Sequence, residues 1–75
     1  MAEIKHEIIE TIAVLSRNDK TGWTKELNLV SWNDGPVKFD IRDWAPNHSK
    51  CNKGTVLAES EARTLMGALK ERFGG

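Results

Sequence analysis

Apolar and polar positions alternate most cleanly over Val37-Lys38-Phe39-Asp40-Ile41-Arg42-Asp43-Trp44. A period of two marks a strand with one face in the core. Val37, Phe39 and Ile41 are therefore predicted to point inward, and Lys38, Asp40, Arg42 and Trp44 to share a wet face. Just before this run, Asn33-Asp34-Gly35-Pro36 is a dense turn signal, and Trp23 to Asn33 reads as the other arm of a hairpin. In that arm Leu27 and Leu29 lie on one face and Val30 and Trp32 on the other, a switch that predicts a bulge or strong curvature. Glu7 to Ser16 is rich in β-branched residues without a helical stripe and predicts a first strand, which Asn18-Asp19-Lys20-Thr21-Gly22 ends as a turn.

Ala45 to Asn52 holds Pro46, Asn47, His48 and Ser49 and reads as a loop, followed by a short fourth strand from Lys53 to Leu57. From Glu59 to Phe73 the period changes to that of a helix, with Ala62, Leu65, Met66, Leu69 and Phe73 on one stripe and Gly74-Gly75 as its stop. The predicted class is α+β: a curved four-stranded antiparallel sheet followed by one C-terminal helix. The stripe is explained first by packing on the sheet. It is also a surface for self-association, with Leu65, Leu69 and Phe73 as interface candidates and a two-fold homodimer as the expected form.

Seventy-five residues permit one domain spanning 1–75, with a core small enough that a dimer would help it. Hydrophobic residues at 39% and charged residues at 29% describe a folded chain. Eleven basic residues balance eleven acidic ones, so any affinity for nucleic acid must come from local placement. Apolar runs are short and Met1 to Lys5 shows no leader pattern, so a soluble, cytoplasmic protein is expected. A single cysteine, Cys51, fits a reducing compartment.

Catalytic chemistry is hard to build from these residues. His6, His48 and Cys51 are too few for a metal centre, His48 and Ser49 are neighbours in a loop, and the six glycines form no phosphate cradle. No metal, no cofactor and no enzymatic activity are expected. Binding chemistry is better represented. Trp23, Trp32 and Trp44 all fall in the hairpin region, where seven basic residues stand against five acidic between Arg17 and Lys53. Unpaired bases stack on such rings while Lys and Arg track phosphates. Lys38, Arg42 and Trp44 share the predicted wet face, with Lys25, Asn28 and Trp32 as candidate neighbours from the second strand and Lys53 from the fourth. Asp40 is expected to orient Arg42. Trp23 is read as core or rim, Trp32 is open between platform and core, and Trp44 is read as a platform because it is in phase with charged residues.

Trp32-Asn33 at a hairpin, then Asp40-Ile41-Arg42-Asp43-Trp44, then Lys53-Gly54-Thr55-Val56-Leu57 before an acidic helix start, resembles the single-strand DNA-binding domain of the transcriptional positive cofactor 4 family, in its small bacterial YdbC-type branch. The likeness runs from about Glu7 to Phe73. It implies a homodimer whose curved sheets form channels for single-stranded DNA, a role in transcription regulation with the transcription machinery as a further partner, and contacts from Arg42, Trp44 and Lys53. The turn at Asn33-Asp34-Gly35-Pro36 departs from eukaryotic members, which carry basic and aromatic residues there. The expected function is sequence-independent binding of single-stranded DNA in transcription, replication or repair. Single-stranded RNA binding and a protein-docking module are the alternatives.

Overall fold

The first strand uses twelve residues where its partner uses nine. In the computed structural model, which describes residues 5–74, β1 (His6–Arg17) pairs antiparallel with β2 (Thr24–Trp32). The register slips between Ile8 and Glu10, between Thr11 and Ala13, and between Val14 and Ser16. The skipped residues are Ile9, Ile12 and Leu15, three exposed aliphatics at a spacing of three. Each bulge bends the strand and increases its twist, so β1 curls along its whole length. Gly75 of the expected helix stop, and Met1 to Ile4, lie outside the described residues.

β3 (Val37–Trp44) continues the sheet in unbroken register with β2, from Thr24 opposite Trp44 to Ser31 opposite Val37. The bulge anticipated in the second strand is thus in the first, and β2 itself is regular. The turn between them places Asn33 at φ 51° and Asp34 at φ 60°, and Gly35 N–H donates to the Trp32 carbonyl at 2.8 Å. That handedness matches the twist of paired strands. A three-residue β4 (Thr55–Leu57) closes the sheet in the order β1-β2-β3-β4, shorter than the predicted strand and leaving Lys53 outside it.

Curling decides which face becomes core. Trp32 and Thr24 stand eight residues apart on β2, about 26 Å along an extended strand, and Trp44 lies opposite Thr24. Yet the His6 ring touches both Trp32 and Trp44, with centroids 5.5 and 5.1 Å away. The face carrying the even-numbered residues is therefore concave, and it closes on its own side chains. Val30, Trp44, Asn28 and Asp40 are fully buried there, with Glu26 nearly so. This reverses the expected assignment of faces: the side predicted wet is the interior, whereas Phe39 and Ile41 are only half-buried and Val37 is exposed.

The opposite face meets α1 (Glu59–Phe73), whose limits match the predicted helix. Glu61 accepts a hydrogen bond from the Ala58 N–H at 2.8 Å, and Gly74 ends the helix in the left-handed conformation at φ 74°. None of its residues is buried. Among the described residues no helix is long and apolar enough to cross a membrane.

Candidate nucleic-acid interface

Asp40 and Arg42 are two apart on β3 and so project from the same face. The Arg42 Nε–H donates to Asp40 Oδ1 and its Nη2 to Oδ2, both at 2.7 Å, the two-pronged pairing expected of a guanidinium and a carboxylate. Held this way, the guanidinium carbon lies 4.4 Å from the centre of the Trp32 ring. Burial alone would lower the Arg42 pKa, but the Asp40 contact outweighs it and the pKa rises, so the group stays cationic. The expected orienting role of Asp40 is observed.

A second polar cluster, missed in the sequence, surrounds Glu26. Its carboxylate accepts from the Thr24 hydroxyl at 2.6 Å and from Asn28 Nδ2 at 3.1 Å, and His48 Nε2 stands 3.0 and 3.2 Å from its two oxygens. Burial pushes the Glu26 carboxyl up, but the bonds from Thr24, His48 and Asn28 together hold it below the ordinary carboxylate value. His48 thereby ties the 45–52 segment to the sheet. Its ring also meets Trp44 edge-on at 5.2 Å, Ala45 N–H donates to the Lys50 carbonyl at 2.9 Å, and Trp44 bridges to Cys51. The segment read as a plain loop is a fastened flap containing a short 3-10 turn at Pro46–His48. Nothing in the composition pointed to it, because the partner of His48 is twenty-two residues away.

The predicted contact residues separate accordingly. Arg42, Trp32 and Lys38 share the concave face, with Lys38 exposed opposite Val30 and Trp32 half-buried. Lys25 projects from the other face, since odd positions on β2 align with Leu27, and it is not brought to Arg42. Asn28 is buried and engaged with Glu26, which withdraws it from the surface. Trp44 is fully buried under His6 and His48 instead of standing on a wet face, because the curl of the sheet folds its position inward. Lys53 is exposed beside Gly54, ahead of β4. His6 was not among the candidates; three bulges in β1 conceal which of its residues face the hairpin. Among the described residues no group of three metal-ligating side chains converges.

Behind the sheet, Ile12, Leu27, Phe39 and Leu57 face Leu65 and Leu69 of the helix across an open apolar cleft of about 740 Å³. Phe73 at its end is 81% exposed.

No protein-family model matches the chain. It is similar to an uncharacterized protein of Treponema pallidum (strain Nichols), with 38% identity over 63 residues that cover 84% of this chain and 73% of the relative. At that identity and coverage, the chain belongs to the same family as the treponemal protein.

Proposed function

We propose that the protein binds single-stranded DNA, with little sequence preference, as a homodimer. The observation that carries this reading is the Arg42 guanidinium fixed by Asp40 over the Trp32 ring on the concave side of a curled sheet. A flat cation on a flat ring, with exposed Lys38 on the same face and exposed Lys53 just ahead of β4, is the mixture of stacking surface and positive charge that unpaired strands engage. The resemblance to the positive cofactor 4 family supports the same reading, with a cytoplasmic role in transcription, replication or repair. The activity is one of binding and not of catalysis.

The dimer is supported by the apolar cleft. A small chain seldom leaves aliphatic surface such as Ile12, Leu65, Leu69 and Phe73 open to water without a partner. A second copy would cover it and leave both concave faces free.

Tryptophan fluorescence titration with single-stranded DNA, duplex DNA and RNA of one sequence tests the proposal. Quenching by the single DNA strand with at least tenfold weaker response to the duplex is expected. Equal or stronger binding of RNA would move the function to RNA, and no response to any nucleic acid would leave the protein-docking alternative.

A further inference from the structure

The geometry points to a nucleobase site between Trp32 and Trp44 that the His6 imidazole occupies in the free protein. This inference rests on the single-strand reading above and names its central subsite. His6 is a flat heteroaromatic ring set against two indoles, with centroids 5.5 Å from Trp32 and 5.1 Å from Trp44. Its planes are tilted by 46° and 50° from theirs, so it lies flat on neither. A base lying flat on an indole would gain more contact than this tilted arrangement gives.

The two indoles also carry unmet polar groups. The indole N–H groups of Trp32 and Trp44 are both buried without an acceptor. Unpaired groups of this kind are costly in a folded interior. A nucleobase carries carbonyl oxygens and ring nitrogens that accept, which is what these two indole N–H groups lack. Pyrimidines suit the space better than purines, since the group they replace is a five-membered ring.

The His6 side chain can leave without unravelling the strand. Lys5 N–H donates to Asn33 Oδ1 at 2.9 Å and the Lys5 carbonyl accepts from Asn33 N–H at 2.8 Å, which pins the backbone next to it. His6 itself is exposed, so rotation about its side-chain bonds carries the ring into solvent. His48, held by Glu26, stays against Trp44 when His6 leaves.

The test uses the intact chain and a short oligothymidylate. His6→Ala should bind it about three- to tenfold more tightly than the native protein, the gain expected when a site closed most of the time is left open. The salt dependence should be unchanged, because no phosphate contact is removed. In the native protein, the His6 ring proton resonances, shifted by the two indoles, should move toward exposed-histidine positions on saturation with the oligomer, while those of His48 stay. Equal or weaker affinity of His6→Ala overturns the subsite, as do His6 resonances unmoved at saturation. Those resonances decide the question even if the variant fails to fold. If the native protein binds no single strand at all, the functional reading falls and the subsite with it; if it binds and His6 is indifferent, only the subsite falls.

Discussion

Gly54 runs so close to Arg42 that a Cβ at position 54 would collide with the Arg42 Cβ and with the Ile41 carbonyl, and would press on Arg42 Nε. Glycine is required here by proximity, and the segment entering β4 owes its course to the arginine stem it crosses. Gly54→Ala is expected to cost about 1–3 kcal/mol, the usual range for forcing a methyl group into filled space. Denaturant unfolding measures it directly. An unchanged midpoint would mean that the two segments are farther apart than described.

Removing Arg42 does more than delete the proposed contact for DNA. Asp40 is 0% exposed and, among the described residues, has no other cation within bonding distance, so Arg42→Ala strands a buried carboxylate and should destabilise the fold by about 3–5 kcal/mol. Asp40→Ala with Arg42→Ala should cost less than the two single changes added together, as a double-mutant cycle by thermal melting would record. Additive losses would show that the pair is not coupled.

Glu26 makes stability depend on acidity. Its carboxyl titrates below the ordinary value in the folded chain, so below about pH 4.5 the unfolded chain takes up protons that the folded chain refuses. The contribution is therefore whole above that pH and is lost as the pH falls through the lowered folded value. Glu26→Gln should flatten this acid limb of a stability-versus-pH curve and reduce stability at neutral pH by about 1–3 kcal/mol. Parallel curves for the two proteins would rule out Glu26 as the titrating group.

Leu69 separates the proposed dimer from a monomer. As an exposed residue of a monomer, its replacement by Asp would change stability by no more than about 0.5 kcal/mol. If a second copy covers the cleft, Leu69→Asp buries a charge and should halve the mass seen by light scattering or unfold the chain. Native protein that scatters as a monomer at micromolar concentration would remove the dimer.

Much of this architecture was legible because β3 and α1 carry undisturbed periods of two and 3.6, and the Asn33-Asp34-Gly35 turn has its own chemistry. The Asp40–Arg42 pair followed from two-residue spacing alone. β1 was legible as a strand but not in its facing, since bulges at Ile9, Ile12 and Leu15 replace alternation with a period of three. Trp44, Asn28 and Asp40 misled because alternation identifies a polar face with water. Here the curled sheet buries that face and satisfies most of its polar groups internally, a property of three-dimensional closure that no local pattern encodes.

In the proposed binding mode, Arg42, Lys38 and Lys53 bring a phosphate backbone to a stacking surface on the concave side. The slope of log affinity for a single DNA strand against log salt concentration tests it most directly. Two to three phosphate contacts in each protomer predict a slope of about −1.5 to −2 for the native protein. Lys38→Ala should flatten it by about 0.7, the share of one contact on a single strand. A slope near zero, or one that Lys38→Ala leaves unaltered, would contradict the account.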